Sequence, residues 1–188
     1  TYLTSIGAEA VAVGKDFRFG HRRSGSLETL VGAGLELLPV SEVEGVSSTA
    51  IRDAVRDGDL ADAATMLGRP FELDGTVVAG DQRGGTLGYP TANIAMDPHL
   101  LCPRYGIYAG EALAHRAAVS IGTNPHYGGT ERRIEPYLLD FDGDLYGKRL
   151  VVELWARLRD EEVFESEEAL VAQIARDVDA TRAAERPA

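Results

Sequence analysis

The chain has 188 residues, 44% of them hydrophobic and 26% charged, with a formal net charge of -11. That length holds one ordinary domain or one domain plus part of a second, and the composition is globular rather than disordered or fibrous. The acidic balance argues against a nucleic-acid or anionic-membrane partner, because neutralising phosphates takes a clustered excess of Lys and Arg.

Any phosphate bound here must therefore be met locally, by backbone N–H groups or by a metal ion. No stretch is long and apolar enough for a membrane span, and no basic segment followed by an apolar core opens the chain, so the expected location is the cytoplasm. Cys102 is the lone cysteine. It excludes an intrachain disulfide framework and a cysteine-based zinc site, and reads as a small packing residue.

In chain order, Ala10-Val-Ala-Val13 is a short apolar run that reads as a buried strand. It feeds the loop GKDFRFGHRRSG, which carries three glycines, four basic residues and His21. Ser47, Ser48 and Thr49 then precede Ile51 and Val55, with Gly58 beyond them. Hydroxyl caps, an apolar pair four apart and a closing glycine predict a short helix. Asp59 caps a second helix with Leu60, Ala63, Ala64 and Leu67 on one face, ended by Gly68 and Pro70. Strand, loop and helix alternate as in an α/β piece, in a length too short for a complete doubly wound domain.

The texture changes after Pro70. Phe71–Val78 alternates like a strand, and GGTLGYPTANI (84–94), Tyr105–Ala109, Ala117–Ile121, Ile134–Leu139 and Leu150–Trp155 continue the series. Six strand-like runs separated by Gly, Pro, Asn or Asp predict an antiparallel barrel or sandwich. Ser166 then precedes Glu167 and Glu168, and Leu170, Val171, Ile174 and Val178 share a helical face, which predicts an N-capped amphipathic helix packed on the barrel. Residues 184–188 read as a tail.

The densest chemistry lies between 80 and 93. Gly80, Gly84, Gly85 and Gly88 follow a predicted strand and let backbone N–H groups approach anionic oxygens without a Cβ in the way. No lysine follows as a P-loop requires, and a strand rather than a helix is predicted next, which excludes a Rossmann turn. Pro90 sets the entry of the chain, and an extended backbone puts Thr91 and Asn93 on one face. A hydroxyl and an amide oxygen suit a magnesium ion that takes its remaining ligands from water and nucleotide phosphates. Spacing alone leaves that reading level with plain turn-capping.

The sequence GDQRGGTLGYPTANI resembles the nucleotide-binding signature of riboflavin kinases. The resemblance continues through Tyr105-Gly-Ile-Tyr-Ala, Ser120-Ile-Gly-Thr-Asn-Pro, Ile134-Glu-Pro-Tyr-Leu-Leu-Asp-Phe, Asp144-Leu-Tyr-Gly147 and the closing helix, covering residues 69 to 183. It implies a mainly β fold, a six-stranded antiparallel Greek-key barrel with a C-terminal helix, over 68–183. It implies that ATP phosphates pass Gly80, Gly84, Gly85, Gly88, Tyr89 and Pro90, that Thr91 and Asn93 meet magnesium and those phosphates, and that Glu135 is the catalytic base. The implied reaction moves the γ-phosphate of ATP to the 5'-hydroxyl of riboflavin, giving FMN. The implied partners are these small molecules, with neither nucleic acid nor membrane. His126-Tyr127 stands where the family usually has Thr-Phe, which puts a histidine in a loop that could orient flavin or phosphate.

Residues 1–67 resemble the second half of the FMN adenylyltransferase module of bacterial bifunctional FAD synthetases, a partial α/β nucleotidyltransferase segment. The resemblance assigns nucleotide contacts to Ser47, Ser48, Thr49 and Arg52 at a helix N-terminus. The module's opening strand and H-x-G-H motif would lie before residue 1, so FMN adenylyl transfer is expected to be absent from this chain. Two alternatives stand beside the kinase: a fragment of a FAD synthetase, and a flavin-binding barrel without turnover, which would have no use for Glu135. A nucleic-acid-binding barrel is the weakest reading, because the barrel segment lacks a basic stripe with stacking aromatics.

Overall fold

The structure, a computed structural model, describes residues 2–80, 83–123 and 132–187. Packing divides the chain into two compact units, one ending at Val46 and the other spanning Ser47–Ala188.

The first unit is a small α/β piece. It contains α1 (Tyr2–Ser5), β1 (Ala10–Val13), a single 3-10 turn at His21–Arg23, α2 (Leu27–Gly32) and β2 (Glu36–Pro39). β1 and β2 are parallel, in register from Ala10 against Glu36 to Val13 against Pro39. Parallel neighbours need a crossover between them, and α2 lies within that connection. Ser26 and Thr29 form a reciprocal capping box at its start, and Leu30 is buried.

The second unit opens with two capped helices. Ser47 Oγ accepts from the Ala50 N–H at 3.1 Å to start α3 (Ser48–Asp57), and Gly58 ends it in the left-handed region at φ 82°. Asp59 then accepts from the Asp62 N–H at 3.2 Å to start α4 (Leu60–Leu67). These are the predicted caps. The expected first module ends at residue 67 and the texture changes after Pro70, whereas packing divides the chain after Val46. The difference arises because the buried face of α4 sends Leu60 into the same core as Leu73, Tyr108 and Leu154 of the strands that follow.

Those strands are β3 (Phe71–Val78), β4 (Asn93–Ala95), β5 (Gly106–Ala112), β6 (His115–Thr123), β7 (Arg132–Leu138) and β8 (Arg149–Arg159). A short helix, α5 (Arg83–Thr86), precedes β4, and α6 (Glu167–Ala183) follows β8. The strand order is β4-β3-β8-β5-β6-β7, antiparallel throughout. Three consecutive strands, β5 to β7, with β8 returning beside β5, make a Greek key. The edges approach each other where the Ala92 N–H donates to the Pro136 carbonyl at 2.9 Å, so the six-stranded sheet is a nearly closed barrel. Period-2 alternation sends Val119, Ile121, Ile134, Leu150, Val152 and Leu154 inward. Cys102 packs against this core, and its burial pushes the thiol pKa up, opposed in part by Arg132, as suits an inert packing residue.

The β5–β6 hairpin turns through two residues, Leu113 and Ala114, at φ 52° and 62°. Tight hairpins of this kind favour Asn-Gly, because a Cβ in the left-handed region is strained. Leu113 is exposed and packs little. The double substitution Leu113→Asn/Ala114→Gly is expected to stabilise the protein by about 1–3 kcal/mol, read as a higher urea midpoint at unchanged slope.

Candidate active site

A cavity of about 370 Å³ opens on the barrel wall beside α6, a size that suits a small organic ligand. Its floor is one face of the β6–β7 ladder. Ser120 on β6 stands opposite Glu135 on β7, and Gly122 stands opposite Arg133. Glu135 is half-buried. Thr91 reaches the same cavity because the Ala92–Pro136 bond draws the chain before β4 against β7. Tyr89 lies there too, edge-on to Tyr137 with ring centroids 5.4 Å apart.

The opposite wall is α6. Ser166 caps it by accepting from the Ala169 N–H at 3.2 Å, with Glu167 and Glu168 in the first turn. Its predicted apolar face is not its buried face. Leu170 and Ile174 stay half-buried because they wall the cavity, while the buried positions are Asp177 and Thr181. Asp177 holds Arg159 of β8 through Nε at 2.9 Å and Nη2 at 2.7 Å, and Gln173 donates to the same carboxylate at 2.9 Å. The Arg159 guanidinium also lies 5.8 Å from the centre of the Phe164 ring.

The glycine segment has two functions in this geometry. A Cβ on Gly80 would collide with the Asn93 side-chain amide, and one on Gly84 would collide with the Tyr89 carbonyl and stand 3.3 Å from Thr91 Oγ1. Both glycines therefore make room for Thr91 and Asn93, one and three places beyond Pro90, which were read as ligands. Gly88 sits at φ 85°, and its N–H donates to the Gly85 carbonyl at 3.3 Å, while the Leu87 and Tyr89 N–H groups donate to Gly84. Gly85 is exposed, as is Pro90. The segment thus folds as a helical turn before the strand, where only a strand was expected.

Thr91 also borders a second, largely apolar cavity of about 500 Å³, whose walls include Val77, Pro90, Leu138, Phe141 and Leu145. Asn93 borders neither; its side chain lies against Gly80 in a third hollow with Arg132 and Arg133. The structure thus brings Glu135 and Thr91 together and sets Asn93 one step aside. Ser47, Ser48, Thr49 and Arg52 are exposed at the start of α3 and border neither of the cavities that Thr91 joins. His126 and Tyr127 lie outside the described residues.

The sequence profile of the riboflavin kinase family, also termed flavokinase, matches residues 67–184. The chain belongs to the riboflavin kinase family. It is 41% identical over 180 residues to the bifunctional riboflavin kinase/FMN adenylyltransferase of Escherichia coli strain K12, a match covering 89% of this chain and 57% of that protein. It is 35% identical over 196 residues to the protein of that description from Listeria monocytogenes, covering 97% and 62%. A solved structure described as a macrolide-efflux protein from Streptococcus pneumoniae superposes with a TM-score of 0.75 at 35% identity, covering 97% of this chain and 62% of that one. The chain spans a little over half the length of these relatives. Among the described residues no helix is long and apolar enough to cross a membrane.

One cavity residue that sequence reasoning passed over is Glu161. It lies two residues beyond the end of β8 and borders the cavity with Glu135. Burial pushes its carboxyl pKa up, Arg159 pulls it down, and the charge of Glu135 adds to the rise. Its signal in the sequence is faint, since Asp160-Glu161-Glu162 is a run of acids with no motif around it.

Proposed function

We propose that this chain is a riboflavin kinase in activity as well as in family, transferring the γ-phosphate of ATP to the 5'-hydroxyl of riboflavin to give ADP and FMN. The observation that carries the reading is the position of Thr91, which borders both the cavity containing Glu135 and the apolar cavity beside Phe141 and Leu145. A phosphoryl group in transit must stand between its donor and its acceptor. With riboflavin in the first cavity and the nucleoside in the second, that point falls at Thr91.

Glu135 then accepts the proton of the 5'-hydroxyl as that oxygen attacks phosphorus in line with the departing ADP. Leu170, Ile174 and Phe164 offer the apolar wall that a flat flavin ring requires. The reaction calls for magnesium, which would neutralise charge on the phosphoryl oxygens. The donors would be Thr91 Oγ1, between the two cavities, and the Asn93 amide oxygen, two residues along the chain in the adjoining hollow. Among the described residues no cluster of three or more His, Cys, Asp or Glu could hold a metal by itself. Two neutral oxygens fit an ion that shares its shell with phosphates and water, and would not retain one without nucleotide.

Incubation with riboflavin, ATP and magnesium, followed by separation of the flavins, is the test. FMN is the expected product. FMN adenylylation belongs by description to relatives longer than this chain, and FAD in the mixture would assign that second activity to residues 1–67 and to Ser47, Ser48, Thr49 and Arg52. Binding of riboflavin without either product would leave a flavin-binding barrel.

A further inference from the structure

The cavity holds a second carboxylate that phosphoryl transfer does not use. Glu161 rests directly on Gly122, so closely that any Cβ there would collide with Oε1. Gly122 and Ser120 are two apart on β6 and so face the same side, and Ser120 stands opposite Glu135. The Glu161 carboxyl therefore rests on a residue one ladder step, about 6–7 Å along β6, from the Ser120–Glu135 pair. Arg159, whose charge bears on Glu161, commits its guanidinium to Asp177. Among the described residues, Glu161 has no hydrogen bond or ion pair within 4 Å, whereas Glu153, Asp160 and Asp177 all have arginine partners.

A carboxylate is only an acceptor, with room for several donors. Seated in a cavity with its neighbouring arginine engaged elsewhere, it is poised to take those donors from a ligand. Resting on the riboflavin kinase reading above, we infer that Glu161 is a specificity-determining residue that accepts hydrogen bonds from the hydroxyls of the flavin's polyol chain. With the terminal hydroxyl at Glu135 and the ring against α6, the intervening chain crosses the face of β6 where Glu161 sits. A side chain at Gly122 would displace this carboxylate.

The test is equilibrium binding, read by flavin fluorescence and independent of ATP and turnover. Riboflavin is compared with lumiflavin, which has the same ring system without the polyol chain, on the wild type, Glu161→Gln and Glu161→Ala. Glu161 is at the cavity mouth and solvent-accessible, so the variants are expected to fold, which circular dichroism checks. Glu161→Ala is expected to weaken riboflavin by about tenfold or more, as for lost charge-assisted hydrogen bonds, and to leave lumiflavin unchanged. Glu161→Gln, which keeps one acceptor oxygen, is expected to fall between. Equal weakening of both flavins would make Glu161 a shaping residue only, and unchanged riboflavin affinity would leave it no role; either overturns the inference. A wild type that binds neither flavin overturns the flavin reading of the cavity itself, and that result is separate from any effect of the variants.

Discussion

Glu135→Gln is expected to lower turnover by about 10²–10⁴-fold, the range over which a positioned general base contributes. Glutamine keeps the shape of the side chain and its place opposite Ser120, but it cannot take the hydroxyl proton. ATP affinity should be nearly unchanged, because the second cavity, where the nucleoside is proposed to lie, does not include residue 135. Single-turnover measurement at saturating riboflavin and ATP separates this from a loss of binding. Turnover within a few-fold of wild type would mean that Glu135 is not the base, and that positioning and electrostatics alone carry the transfer.

Asp177→Ala is expected to destabilise the protein by about 3–5 kcal/mol, because it strands a buried arginine. The side chains of Arg159 and Asp177 are only 16% and 9% exposed, so water from the cavity that both border replaces the lost partner less fully than at the surface pair of Arg182 and Asp140, which is 51% and 70% exposed. The urea midpoint should drop sharply for Asp177→Ala. It should recover much of the loss in the double variant Arg159→Leu/Asp177→Leu, since removing both charges removes the desolvation penalty as well. If Asp177→Ala cost less than about 1 kcal/mol, the pair would be behaving as a surface salt bridge does.

The same pair explains where reading α6 from its sequence went astray. Leu170, Val171, Ile174 and Val178 have helical spacing, and spacing reports only that a face is apolar. It does not distinguish a face buried against protein from one that walls an open cavity. In this fold Leu170 and Ile174 do the latter, and the most buried positions went to Asp177 and Thr181. Asp177 is buried with its charge met by Arg159, which arrives from β8, 18 residues earlier in the chain. The extent of the second packing unit also rests on distant residues. The change of texture after Pro70 is a change in local pattern, while Leu60 joins the barrel core through contacts with the strands that follow.

What the chain determined by itself was whatever rests on neighbours within a turn or along one strand. The caps at Ser47, Asp59 and Ser166, the left-handed glycines at 58 and 68, and the alternation of β3 to β8 all rest on interactions between residues a few positions apart. The motifs around Thr91 and Glu135 were legible in the same way, as ordered local patterns. Which oxygens share a cavity was decided only when the barrel closed. The hydrogen bond from Ala92 to Pro136 joins residues 44 apart in the sequence (136 − 92), and it sets Thr91 beside Glu135 while leaving Asn93 against Gly80. The seat of Glu161 on Gly122 likewise depends on the chain beyond β8 returning to β6 across the sheet. No spacing encodes that approach, because it is fixed by the twist and closure of a whole sheet rather than by the period of any one strand.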